Sequence, residues 1–148
     1  MSDESQVLFL YTSDKSSCYK KDGLVTGEPR LVYKLSKEQE EFEVCLVFGL
    51  SFSTKETYYT STAVTNENNE DVIVEDLAKR EKDGFDYSTK IDSVADEMVL
   101  VMIDTEKCKI SRSGKYKVSV FLQKDAGPYN RRIDVSSLST YIFIDREA

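Results

Sequence analysis

The clearest regularity in the chain is "EFEVCLVFGLSF", residues 41–52. There Phe42, Val44, Leu46, Phe48, Leu50 and Phe52 alternate with Glu43, Cys45, Val47, Gly49 and Ser51. Apolar side chains at every second position line one face of an extended strand; a helix would scatter them around its circumference. Cys45 and Val47 make the second face partly apolar too, which predicts a strand inside its sheet rather than at its edge. Gly49 marks a bulge or a close approach by another group. The stretch "SGKYKVSVFLQ" repeats the pattern. Tyr116, Val118, Val120 and Leu122 face one way, and Lys115, Lys117, Ser119 and Gln123 the other, with Phe121 the exception.

Shorter signals fill the rest. "QVLFLYTSD" is a run of β-formers and a first strand. Turn signals at Asp22 and Gly23, and again at Gly27, Glu28 and Pro29, release a short strand at Leu31, Val32 and Tyr33. Ser36 and Gln39 spell a capping box, but no helical period follows, so a polar turn is expected. Residues 58–65 and 72–74 read as a hairpin around the polar turn at 66–70. Residues 98–103, in "EMVLVMID", form an unbroken apolar run that predicts a strand buried on both faces. "DAGPYN" is a turn, and strands at 133–135 and 141–144 follow. One helix is expected, near residues 75–83. Glu75 with Lys79 and Asp76 with Arg80 are acid-first pairs four apart, and Gly84 is placed to end it. Strand signals at this spacing predict an all-β fold, an antiparallel β-sandwich of about seven to nine strands. There is no internal repeat or linker, so residues 1–148 are expected to form a single β-sandwich domain.

The order of turn, Gly114, Lys115, Tyr116 and then alternating strand resembles the tyrosine corner of immunoglobulin-like sandwiches. In that superfold a tyrosine near the start of the sixth strand returns its hydroxyl to backbone upstream. The resemblance makes "EFEVCLVFGLSF" strand B, "EMVLVMID" strand E, "YKVSVFLQ" strand F and "STYIFID" strand G, about two-thirds of the chain. Val118 stands where antibody domains carry cysteine, the core tryptophan is missing, and Arg112 stands where an acidic residue is common. The likeness is to a superfold, and so it implies no activity.

Net charge is −7, against the basic face that nucleic acid or anionic lipid requires. The basic pairs Lys20-Lys21 and Arg131-Arg132 read as solvated loop or edge charge. Cys18, Cys45 and Cys108 are odd in number and far apart, and with no histidine a zinc finger or His-based zinc site is excluded. The N-terminal sequence has an acidic start and a short apolar run, unlike a signal peptide. These features point to a cytoplasmic protein with reduced thiols.

Candidate chemistry is thin. Absence of histidine removes the commonest general base and the Ser-His and Cys-His nucleophile pairs. Asp104 and Asp145 follow apolar runs and are the carboxylates expected at strand ends. The loops 66–71 and 81–86 offer oxygen atoms for Ca²⁺ without matching EF-hand spacing. Tyr58, Tyr59, Tyr87 and Tyr129 are candidates for an exposed sugar-binding platform, although tyrosines on strands are more often half-buried packing. Cys45 and Cys108 read as small buried hydrophobes, and Cys18, beside lysines, as a loop thiol. The glycines stand apart, without a phosphate-loop spacing. No catalytic, cofactor-binding or metal residue is assigned, and no cofactor. The segment "TYIFI" is flat, apolar and poor in charge; it must be covered, paired within its sheet, or used in an interface. The favoured reading is a non-catalytic intracellular protein-interaction or accessory module, with self-association through a sheet edge or face as one form. Its partner is then another protein or a second copy, not nucleic acid or membrane. The alternatives are a calcium- or carbohydrate-binding sandwich of C2 or lectin type, and a hydrolase using paired carboxylates.

Overall fold

The computed structural model describes residues 3–14, 19–20, 23–24, 27–74, 89–125 and 132–147. The helix expected near 75–83, the loop 81–86, the turn after Asp125, and Cys18, Tyr87, Tyr129 and Arg131 lie outside the described residues. In chain order the strands are β1 (Gln6–Ser13), β2 (Tyr19–Lys20), β3 (Gly23–Leu24), β4 (Val32–Leu35), β5 (Glu41–Phe52), β6 (Thr57–Thr65), β7 (Thr89–Asp92), β8 (Met98–Lys109), β9 (Gly114–Asp125) and β10 (Arg132–Arg146). They form a three-stranded sheet ordered β1-β5-β8, a five-stranded sheet ordered β4-β10-β9-β6-β7, and a small β2-β3 ribbon. The fold is all-β and sandwich-like.

Period-2 alternation decides the packing. The six apolar positions of β5 from Phe42 to Phe52 and the positions Tyr116, Val118, Val120 and Leu122 of β9 meet in one core. Ile142 and Ile144 of β10 join them, while Tyr141 and Phe143 on the same strand face solvent. β10 runs between β9 and β4; "TYIFI" pairs with β9 along its whole length, and β4 takes its other side from Phe143 onward. The β4–β10 pair is parallel, a departure from the all-antiparallel expectation.

Three local expectations need correction or refinement. The run at 98–103 is not buried on both faces. β8 is the outer strand of its sheet, and Val99 and Val101 are 69% and 49% exposed. The strand also continues to Lys109, so Asp104 lies in mid-strand opposite Leu46 instead of at an end. The hairpin after β6 forms only in part. The turn closes as expected, with Asn69 at a φ of 61°. The return begins with Val72 N–H donating to Val64, then crosses to the other sheet, where Val74 N–H donates to Lys107 and Lys109 N–H to Val72.

Around Ser36 a single polar turn forms. Gln39 Oε1 accepts from Ser36 N–H, and Gln39 N–H donates to the Ser36 carbonyl. Gly49 serves a close approach. The Phe9 ring lies on the Gly49 backbone, where a methyl group would collide with it. The bulge falls instead on β1, between Val7 and Phe9. At the foot of β9 the Tyr116 hydroxyl donates to the Arg112 carbonyl at 2.7 Å, the backbone hydrogen bond expected of a tyrosine corner.

Candidate interaction surface

The outer face of the three-stranded sheet is built row by row from strand pairing. Gly49 is flanked by Phe9 on β1 and Val101 on β8, and the next row is Tyr11, Val47 and Ile103. Above them Val99 lies opposite Ser51. The Phe9 and Tyr11 rings stack with centroids 6.1 Å apart. This face has an open half and a covered half. Cys45 and Val47 are fully buried beneath Tyr11 and Ile103. The chain at Gly27 and Glu28 lies against the same end, accepting hydrogen bonds from the Tyr11 and Ser13 hydroxyls. Phe9, Val99, Val101 and the bulge residue Leu8 stay exposed. None of these residues is charged.

The five-stranded sheet differs. Along β9, Lys115, Lys117, Ser119, Phe121 and Gln123 point outward, paired with residues such as Ser139 and Ser137 of β10 and Ala63 and Ser61 of β6. Ser119 and Ser139 hydroxyls bond at 2.8 Å. Exposed apolar residues gather at one corner, at Val32, Tyr141 and Phe143, where the Lys115 ammonium sits 4.4 Å from the Tyr141 ring centroid, with Ile133 exposed at the far end of β10.

The residues singled out for chemistry are not brought together. Asp104 is on β8, and Asp145 is on β10 of the opposite sheet, exposed beside Lys34. Tyr58 cannot be a platform; it is fully buried, tilted against Phe52 with centroids 4.8 Å apart. A tyrosine on the period-2 inner face of β6 packs inward by register. Tyr59, on the outer face, is half-buried under the Arg132 guanidinium at 3.8 Å. In the loop 66–71 the oxygens serve backbone N–H groups. Asn66 Oδ1 accepts from Asn68 and Glu70 N–H, Asp71 Oδ1 from Ile73 N–H, and Glu67 Oε1 from Lys115 N–H. Among the described residues no group of three or more potential metal ligands converges. Cys108 is a buried thiol whose pKa is pushed up to about 12, by burial first and then by Glu106 and Asp71. It is inert at neutral pH. Cys45 is buried on the outer side of β5, its sulfur 3.6 Å from the Thr105 hydroxyl.

One polar cluster has no precursor in the sequence pattern. The Asp3 carboxylate, 5% exposed, accepts from Ser5 N–H and Ser53 Oγ on one oxygen. Its other oxygen accepts from the Tyr58 hydroxyl at 2.7 Å and from Lys124 at 3.2 Å. Burial alone would raise its pKa. Hydrogen bonds from Ser5, Tyr58 and Ser53 outweigh burial and hold it far below the usual carboxylate range. Asp3 thus joins the loop after β5, strand β6 and the end of β9. No hydrophobic period marks Asp3, because the segment that places it before β1 is not periodic. Among the described residues no helix is long and apolar enough to cross a membrane.

The sequence matches no known protein family and no curated protein. Among solved structures it is similar to a crystal structure described as a candidate beta-galactosidase from Bacteroides fragilis, at 11% identity and a TM-score of 0.57. The match covers 93% of this chain but 17% of that one, so the chain spans about a sixth of that protein's length. At this identity the likeness is one of fold alone.

Proposed function

We propose that the chain is a non-catalytic module of the immunoglobulin-like sandwich type, working in the cytoplasm as an interaction or accessory unit. Its docking surface is the open half of the three-stranded sheet, and its simplest partner is a second copy of itself. The observation that carries this reading is the uncharged apolar surface of Phe9, Val99, Val101 and Leu8 on an otherwise complete core. Contiguous exposed apolar area on a folded domain marks contact sites. In a chain of net charge −7, an uncharged patch is also where two copies meet with least repulsion.

Several features support the immunoglobulin-like type. The order β1-β5-β8 against β10-β9-β6-β7 corresponds to A-B-E against G-F-C-C′. The Tyr116 hydrogen bond lies at the expected corner. Tyr58, on the strand corresponding to C, fills the interior position that tryptophan takes in antibody domains. The buried, reduced Cys108 thiol suits a reducing compartment. The accessory reading draws support from the structural neighbour, in which the matched region is a small part of a longer chain.

The test is a paired substitution, Val99→Lys with Val101→Lys, at exposed positions where the core is untouched. The wild-type chain should show a concentration-dependent rise in mass above 16.9 kDa in sedimentation velocity, and the variant should not. Equal association in both removes this face from the proposal.

A further inference from the structure

We infer that the end of the sandwich beside the tyrosine corner is a binding site for a phosphate-type oxyanion. A cavity of about 400 Å³ opens there, lined by Lys37, Ser111, Arg112, Ser113, Arg146 and Glu147. Three cations against one carboxylate leave two positive charges, in a protein whose net charge is −7. A phosphate near neutral pH carries roughly −1.5 to −2. Among the described residues no ion pair engages Lys37, Arg112 or Arg146.

The cavity wall is fixed rather than loose. Arg146 donates from one terminal nitrogen to the Ile110 and Ser111 carbonyls, and from the other to the Lys37 carbonyl. Its guanidinium is therefore anchored, and it pins the Lys37 backbone. The Tyr116 hydroxyl pins the Arg112 carbonyl. Ser113 Oγ donates to the Arg146 carbonyl and accepts from Arg146 N–H, closing the cross-links between the β8–β9 connection and β10. The nearby carboxylate of Glu67 is directed to Lys115 N–H. Among the described residues the Arg112 and Lys37 side-chain donors have no hydrogen-bond or ion-pair partner at the rim, around an anchored third cation. Forked guanidinium donors and a mobile ammonium suit a tetrahedral oxyanion, and a preorganised site loses little side-chain freedom on binding. Arg112 also gives a role to the departure from the tyrosine-corner pattern, where an acidic residue is common.

Two-dimensional ¹H–¹⁵N spectra of the whole chain, titrated with inorganic phosphate at constant ionic strength, test the inference. Methyl phosphate in a second titration tells whether an esterified phosphate group is taken as well as the free ion. Saturable shifts confined to Lys37, Ser111, Arg112, Ser113 and Arg146 are expected. Arg112→Gln with Lys37→Gln should weaken binding by at least about tenfold, because two charge-assisted contacts are lost. That variant leaves the carbonyls that Arg146 and Tyr116 hold, so its spectrum should otherwise be unchanged. Lys90→Gln, on exposed β7, should bind as wild type. Shifts that track chloride equally, that spread over lysines at large, or that persist in the double variant would overturn the inference.

Discussion

The two sheets of this sandwich share a core but carry opposite outer faces. On the three-stranded sheet the central rows are Phe9-Gly49-Val101 and Tyr11-Val47-Ile103. On the five-stranded sheet the centre is Ser119 with Ser139 and Ala63, flanked by Lys117 and Phe121. The difference arises in the central strands. β5 has Cys45, Val47 and Gly49 where β9 has Lys117, Ser119 and Phe121. A sheet with one face on the core and one in water alternates apolar with polar residues. β9 follows that rule with one exception. β5 breaks it over its middle third, and its neighbours β1 and β8 break it in the same rows. Three strands departing together support the proposed contact surface better than one stray exposed residue would.

The strongest perturbation asks whether both faces belong to one cooperative unit. Asp3→Ala leaves the Tyr58 hydroxyl and the Lys124 ammonium without their buried acceptor and should destabilise the fold by about 3 kcal/mol in urea unfolding. The charge can be tested alone with Asp3→Asn. Asp3 titrates well below its ordinary 3.8 in the folded state, so the unfolded chain binds more protons as pH falls. The stability it contributes is therefore complete above about pH 5 and declines steadily below, and the variant should show a flatter acid limb there.

Gly49→Val breaks the apolar face from beneath. The added methyl groups meet the Phe9 ring, which must leave its seat, at a cost of about 1–3 kcal/mol. Association should fall with it. Ser119→Ala is the matching change on the polar face; it removes one hydroxyl pair and should cost about 1 kcal/mol with association unaltered. Smallest in stability is Val101→Lys against Lys117→Glu, each within about 0.5 kcal/mol by thermal or urea unfolding. Between them, only the first should alter self-association.

Much of this architecture is legible in the sequence because the inner faces of β5 and β9 keep strict period 2 over several residues. The hydrogen bond from the Tyr116 hydroxyl to the Arg112 carbonyl is legible because a turn, a glycine and a tyrosine stand in fixed order. β8 misleads for a physical reason. An unbroken apolar run has the same appearance whether its second face is covered by other elements or left as a contact surface. Only the sheet order, with β8 outermost, separates the two. The hairpin after β6 is misread at 72–74 because local turn chemistry fixes the loop but not which edge the return strand meets. Tyr58 is left open between a platform and packing because tyrosine suits both, and register sends it inward. The surface itself is half visible, in Cys45 and Val47. Its exposed members Phe9 and Val101 lie 40 and 52 residues from Gly49 along the chain, and pairing brings the three into one row. The Asp3 cluster and the cation-lined cavity draw on segments without periodicity, joined only by tertiary contacts.

Sedimentation equilibrium of the wild-type chain and the Val99→Lys, Val101→Lys variant, from low micromolar to millimolar concentration, bears most directly on the central claim. The account predicts a wild-type mass rising from 16.9 kDa toward twice that value while the variant stays at 16.9 kDa. A wild-type chain that remains at the single-chain mass throughout, or a variant that associates equally well, would contradict it.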